Sequence, residues 1–442
     1  MVRVIGGGLA GAEAAWQLAR AGIPCALYEM RPARLTPAHK TGDLAELVCS
    51  NSFKAERPGS AAGTLKAEMA LLGSLCIEAA KRTRVPAGGA LAVDRDAFSR
   101  EITRRVEENP LIELRRGEIT RIPEEGVTII AAGPLASDAL AADIQRLCGA
   151  GLHFYDAAAP IVTAESINMD HAFFSSRYER GGENDYLNCP LNKEQYEAFE
   201  AALLTAERAQ THHFDAPAES AGSVGWVYEG CMPIEILASR GRDAIRYGPM
   251  KPVGLRDPRT GHRPWAVLQL RRENTEGTLY NLVGFQTNLK FGEQKRVFGM
   301  IPALQSAEFA RYGVMHRNTF LDSPRLLRED FSCRLRSGLW FAGQITGVEG
   351  YMESAASGIL AGRGAARAIQ NLPPLKLPPV TMLGALSRHV SDEGVRDFQP
   401  MGANFGLLPA LDERIRDKRA RYEALGARAI KAMEETLLAQ GL

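Results

Sequence analysis

The chain has 442 residues, 45% of them hydrophobic and 24% charged, which excludes disordered, collagen-like and disulfide-stapled miniature classes. At roughly 100–200 residues per domain it has room for about two to four domains. Lys and Arg number 53 against 52 Asp and Glu, and a net charge of +1 argues against a strongly basic nucleic-acid coat.

The first 29 residues predict a βαβ unit. Val2–Ile5 is a strand, Gly6-Gly7-Gly8-Leu9-Ala10-Gly11 a glycine turn and about Ala12–Ala21 an alanine-rich helix ended by Gly22. Cys25–Tyr28 is the second strand, closed by Glu29. From Ala61 to Arg82 apolar residues recur at helical spacing, and a further helix is expected over about Arg95–Glu107. Leu111–Arg115 and Val127–Ala131 are strands, the latter running into Ala132-Gly133-Pro134 before a helix over about Ala136–Cys148.

From about Ala159 to Arg325 the pattern becomes strand-rich, with one helix over about Lys193–Ala209. Strand and glycine then return in Leu339–Gly343, followed by a helix over Tyr351–Ile369 and a charged final helix over about Leu411–Ala439. The organisation expected is an α/β chain. A Rossmann-type, glutathione-reductase-like FAD-binding domain (residues 1–158 and 326–442) encloses an inserted strand-rich α+β domain (residues 159–325).

The glycine turn carries the first chemical signal. Gly6 permits the tight turn, Gly8 lets a pyrophosphate approach the backbone and Gly11 lets helix and strand pack closely. Gly7, Leu9 and Ala10 complete a helix N-terminus whose free N–H groups and partial positive charge suit phosphates. Glu29, at the end of the second strand, is placed to accept hydrogen bonds from a ribose diol, with Arg31 beside it. The acid favours FAD or NAD over a 2′-phosphorylated cofactor. FAD is favoured by the later strand-glycine-helix, in which Gly343, Gly350 and Tyr351 introduce a helix facing the flavin pyrimidine edge, and by Gly133 on a return strand.

Seven cysteines show no CxxC and no zinc spacing, so no metal site is expected. No leader is recognised ahead of the first strand and no apolar run reaches 18 residues, so a reduced cytoplasmic protein without a membrane span is expected. Cys49 lies among small polar residues with Lys54 nearby, and Cys231 precedes Pro233, which suits a first helical turn. Both settings favour a thiolate, while Glu229 and Glu235 oppose it at Cys231 or serve as bases.

Several longer motifs converge. Cys49-Ser50-Asn51-Ser52, Val85–Arg95, Glu229–Glu235, Tyr247–Gly254, Gly313–Thr319 and Gly347–Ser354, together with the Gly6–Gly11 turn, resemble the TrmFO family across essentially the whole chain. That family comprises folate- and FAD-dependent tRNA (uracil-54-C5) methyltransferases. The resemblance implies transfer of a one-carbon unit from 5,10-methylenetetrahydrofolate to uracil C5 in the tRNA T-loop, with NAD(P)H as reductant. It implies that Cys231 adds to uracil C6 and that Cys49 caps the transferred carbon or moves a proton. His316 and Tyr351 offer flat faces for a pterin, and Glu349 a carboxylate for its ring nitrogens.

Residues 240–272 hold nine basic residues against Asp243 and Asp257, a local charge of +7 interleaved with Tyr247 and Trp265. Lys251, Arg256 and Arg259 are the expected tRNA contacts, forming a basic rim around the cofactor cleft. No stable protein partner is implied. The competing expectations are an FAD-dependent tRNA wobble-uridine modification enzyme, a small-molecule flavin oxidoreductase, and an RNA-binding protein that merely retains FAD.

Overall fold

Apolar strands flanked by helical segments assemble as a parallel sheet covered on both faces. The computed structural model of the chain describes residues 1–36, 38–149, 152–157, 159–179, 185–209, 232–272, 277–313, 315–395, 398 and 400–440. Its five-stranded sheet has the order Leu339–Phe341, Thr128–Ile130, Val2–Ile5, Cys25–Glu29, Ile112–Arg116, with every neighbouring pair parallel. Thr128–Ile130 and the edge strand Leu339–Phe341 are buried at every residue, as strands covered on both faces must be, whereas the opposite edge, Ile112–Arg116, buries only Ile112.

Helix Leu9–Arg20 leaves the central strand and packs against helix Tyr351–Ile369. Small residues make this packing close. A Cβ on Gly358 would overlap the Ala10 carbonyl, and one on Gly362 would lie 2.6 Å from the Ala14 carbonyl oxygen. The contacts advance four residues on each helix, so the two helices run in the same direction. Gly358 is level with Ala10, so helix Tyr351–Ile369 begins six residues ahead of Leu9, an overhang of roughly 9 Å at 1.5 Å per residue.

The second sheet is antiparallel, in the order Phe173–Phe174, Tyr186–Leu191, Ala266–Arg272, Leu279–Leu282, Ile161–Thr163, Phe309–Arg311. It has its own core, in which Tyr196, Phe199, Phe285 and Phe298 are fully buried. The expected helix there spans Lys193–Thr205, started by a capping box between Asn192 and Gln195. Helix Ile234–Ala238 begins just after Pro233, where a first helical turn was expected, whereas helices Ala244–Tyr247 and Phe291–Phe298 were not expected, being too short for a resolvable period. A ribbon of Leu152–Ala157 and Met315–Phe320, and a small sheet of Ser52–Ala55, Ala90–Val93 and Arg84–Val85, complete the strands.

The single helical pattern over Ala61–Arg82 resolves into two helices, Ala61–Leu71 and Leu75–Arg82. Gly73 at φ +69° turns the chain, and the Ser74 hydroxyl accepts the Ile77 N–H at 3.2 Å to start the second. The apolar spacing continues through the break because both helices face one core. The final helix starts at Lys418 rather than near Leu411, where Asp417 caps the Ala420 N–H at 2.7 Å. Among the described residues, no helix is long and apolar enough to cross a membrane.

Candidate functional site

The glycine turn opens onto a cleft of about 1030 Å³, its solvent-open mouth included. Its glycines do three different things. Gly6 holds φ +105°. A Cβ on Gly11 would overlap the Gly6 carbonyl oxygen, so only glycine lets the helix start this close to the strand. Gly8 has nothing within 4 Å of its Cβ position, leaving the backbone bare where the cleft begins. Gly8→Val is therefore expected to lose bound dinucleotide yet keep the melting temperature of the cofactor-stripped parent, whereas Gly11→Ala lowers the melting temperature of the stripped protein itself. Thermal denaturation alongside cofactor content distinguishes the two. Equal melting temperatures for both variants would contradict the assignment.

Gly6, Gly7, Gly8, Leu9, Ala10, Glu29, Arg31, Gly133, Gly343 and Tyr351 all line the cleft. Gly11 and Gly350 stand behind the wall, the first as a packing contact and the second at φ +122° before helix Tyr351–Ile369. Glu29 is buried. Its carboxylate accepts from the Gly7 N–H (2.9 Å), the Arg31 N–H (2.9 Å), and Arg31 Nε (2.9 Å) and Nη2 (3.2 Å). Burial alone would raise its pKa, but the Arg31 guanidinium and these N–H groups hold it below the usual carboxylate range. Arg31 also reaches Glu46 at 3.1 Å. A ribose diol at Glu29 shares an acceptor already engaged by protein donors. The segment Gly117–Ile119 and the residues Thr36, His39 and Gln344 also line the cleft and carry no motif that sequence reasoning could seize.

The overhang of helix Tyr351–Ile369 brings Tyr351 to Cys49. The backbone N–H groups of Cys49 and Ser50 donate to the Tyr351 hydroxyl oxygen at 2.7 and 3.1 Å, and Cys49 Sγ lies 3.0 Å from that oxygen. Two N–H donors occupy the oxygen, which directs the phenol proton to the sulfur. Burial pushes the Tyr351 phenol well above its ordinary pKa, and Cys49 acts in the same direction against the opposing Arg95. The phenol therefore keeps its proton for the sulfur.

Cations surround this loop. Arg95 donates to the Leu47 carbonyl and Arg311 to the Val48 carbonyl. Arg271 donates to Asn51 Oδ1 at 3.0 Å and to Ser50 Oγ at 2.9 Å. Asn51 returns a bond from Nδ2 to the Arg272 carbonyl at 2.8 Å. Lys40 is shifted down by burial and by the neighbouring Arg311 and Arg95. The Cys49 thiol itself is only partly buried. By contrast, Cys25 and Cys148 are pushed up to about 12 by burial, and Cys76 and Cys189 are also raised by it. The Val85–Arg95 motif forms part of the same seam. The Gly88 N–H donates to Asp185 at 2.6 Å and Tyr186 Oη to the Ala87 carbonyl at 3.1 Å.

Cys231 and Glu229 lie outside the described residues. Helix Ile234–Ala238 starts just beyond Pro233, and Glu235 is buried with its carboxylate accepting the Asn288 N–H (2.7 Å) and the Thr287 hydroxyl (2.9 Å). His316 sits on strand Met315–Phe320 opposite Asp156. Glu349 is buried and accepts Gln344 Nε2 at 3.0 Å, so it meets the cleft through Gln344. The Tyr351 ring stands edge-on to Phe53 at 6.0 Å.

The basic run departs from its expected place as a rim. Lys251, Arg256 and Arg259 are exposed. Arg259, however, is tied to Asp257 at 2.7 Å and shares a groove with Leu191 and Trp265. That groove is at the opposite end of strand Ala266–Arg272 from Asn51, roughly 20 Å along seven residues. Arg271 is buried in the Cys49 seam, and Arg246 covers the Trp265 ring at 3.8 Å. Charge counting along a sequence could not separate these inward arginines from outward ones. Among the described residues, no group of His, Cys, Asp and Glu is arranged to hold a metal ion.

Comparison with known proteins places this geometry. The family model described as glucose inhibited division protein A matches residues 1–373. A methylenetetrahydrofolate–tRNA-(uracil-5-)-methyltransferase TrmFO of Desulfitobacterium hafniense (strain Y51) is 55% identical over 442 residues, covering 100% of this chain and 99% of that protein. One of the same name from Enterococcus faecalis (strain ATCC 700802 / V583) is 53% identical over 437 residues, covering 99% and 98%. Among solved structures, Aquifex aeolicus GidA in its form II crystal aligns with TM-score 0.71 at 15% identity, over 98% of this chain and 73% of that chain, a likeness of fold.

Proposed function

The chain belongs to the TrmFO family, and from that membership we propose that it methylates C5 of a uracil in tRNA with 5,10-methylenetetrahydrofolate as carbon donor. The target is the T-loop uridine at position 54, FAD is the resident cofactor, NAD(P)H the reductant and the cytoplasm the compartment. The observation that carries the reading is the meeting of Cys49 with Tyr351 at the mouth of a glycine-turn cleft.

The cleft fits FAD. The bare backbone at Gly8 and the N-terminus of helix Leu9–Arg20 receive the pyrophosphate, and Glu29 with Arg31 the adenosine ribose. The N-terminus of helix Tyr351–Ile369, overhanging the first, offers a second positive helix end for the flavin ring. FAD, when bound, supplies the electrons that turn a methylene carbon into a methyl group.

The protein side chains do the rest. Uracil C5 is a weak nucleophile. The Cys231 thiolate adds to C6, the S–C6 bond forms, and the displaced π electrons enrich C5. After carbon transfer a base takes the C5 proton, and the C6–S bond breaks to restore the ring. Cys49, held by Tyr351, is the second thiol, moving a proton or capping the carbon in transit. His316 and Tyr351 border the pterin, with Glu349 acting through Gln344. Lys251, Arg256 and Arg259 hold tRNA phosphates away from the cleft. The target base must leave its stack to reach the cleft.

In domain terms, residues 1–158 and 326–442 form the FAD-binding unit and residues 159–325 the tRNA-facing insert. Support comes from the parallel sheet drawing on residues 2–130 and 339–341 and the six-stranded sheet on residues 161–311. The purified protein is expected to carry bound flavin that bleaches with NAD(P)H and reoxidises when methylenetetrahydrofolate and tRNA are added together. Flavin that reoxidises at the same rate without either substrate would count against the reading.

A further inference from the structure

Three aromatic rings outside the cleft form a parallel ladder. Phe291 and Tyr312 stack with centroids 4.7 Å apart and planes 15° apart, and Tyr312 stacks on Phe309 at 5.1 Å and 7°. Both pairs have the offset-stacked geometry that aromatic rings favour, and the two stacks continue in one direction towards solvent. Phe309 is the inner rung, packed against the second core. Phe291, the outer rung, is 54% exposed at the first turn of helix Phe291–Phe298.

The ladder is held by buried chemistry. Gln294 is fully buried on the helix of Phe291, and its side-chain amide pairs with both sides of Gly313. Oε1 accepts the Gly313 N–H at 2.8 Å, and Nε2 donates to the Gly313 carbonyl at 2.8 Å. This locks Tyr312 in register with Phe291. Between Phe309 and Tyr312, Arg311 reaches the carbonyl of Val48, the residue before Cys49. The ladder therefore stands one arginine side chain from the reactive loop. Beside it, one helical turn on, Lys295 is exposed without an ion pair among the described residues, while Lys290 and Arg296 are neutralised by Glu207 and Glu293.

We propose that the outer face of Phe291 is a stacking platform for a nucleobase of the substrate tRNA, one displaced from the T-arm stack when the target uracil leaves it. A flat, uncharged, sequence-tolerant surface with the exposed Lys295 one turn away suits an unstacked base and an adjoining phosphate. Of the two aromatic residues in the basic run, Trp265 has its ring covered by Arg246, and Tyr247 is exposed beside the same arginine, at the Trp265 end of strand Ala266–Arg272 and away from the Cys49 loop. The proposal rests on tRNA being the substrate.

The test uses the full-length FAD-loaded enzyme, Phe291→Ala and Phe291→Trp variants, and tRNA carrying 2-aminopurine in the T-loop. Phe291→Ala is expected to raise the KM for tRNA fivefold or more and to remove the fluorescence quenching that the parent enzyme produces on binding. Phe291→Trp is expected to restore both to within twofold. A tRNA KM within twofold of the parent in Phe291→Ala, or a rise confined to the folate KM, would overturn the proposal. Quenching is read without turnover. If the parent enzyme quenches through Phe291 but methylates no tRNA, the functional reading fails and the platform stands.

Discussion

Cys49→Ala is expected to slow methyl transfer to tRNA by about 10²–10⁴-fold, the range for loss of a positioned proton-transfer group. Bound flavin and melting temperature should stay near those of the parent. The side chain is small and only partly buried, and the loop is held by other groups. Arg95, Arg271 and Arg311 fix its carbonyls and polar side chains, and Tyr351 still accepts the backbone N–H groups of residues 49 and 50. The effect therefore isolates the sulfur. Single-turnover transfer measured beside flavin content checks it. Transfer within threefold of the parent would remove Cys49 from the mechanism and leave Cys231 to act with a different partner.

Tyr351→Phe is expected to act through the same sulfur. The change removes the proton aimed at Cys49 and leaves two backbone N–H groups without their acceptor, a loss of about 1–3 kcal/mol in stability. A purely structural role would stop at that loss. A role through sulfur predicts more: alkylation of Cys49 by iodoacetamide should need a higher pH, because a hydrogen bond to the charged form favours that form. Methyl transfer should fall about tenfold or further. In the Cys49→Ala background the same substitution should have little added effect on transfer, since the two groups act as a unit. An unchanged alkylation profile would reduce Tyr351 to a wall of the cleft.

The parallel unit was legible because its signals are local. Strand, glycine turn, helix and Glu29 follow one another within 29 residues, and Gly6, Gly7 and Gly11 stand where a Cβ would clash while Gly8 leaves the backbone open to the cleft. Helices Arg95–Glu107 and Tyr351–Ile369 were read at their observed limits because apolar spacing agrees with the Asp94 cap ahead of the first and with Gly350 ahead of the second. What stayed hidden depends on distant pairs. Tyr351 meets Cys49 across 302 positions, and Arg271 meets Asn51 across 220. Nothing near Arg271 in the sequence separates it from Arg256, yet one is buried in a seam and the other faces solvent. The aromatic ladder escaped for the same reason: Phe291 and Tyr312 become neighbours only once Gln294 has paired with Gly313.

Label transfer tests the account most directly. The enzyme is incubated with NAD(P)H, unlabelled tRNA and 5,10-methylenetetrahydrofolate carrying ¹⁴C in its methylene group, and the tRNA is digested to nucleosides. The account predicts label in 5-methyluridine from the T-loop. Absence of labelled 5-methyluridine while the flavin is demonstrably reduced would contradict it.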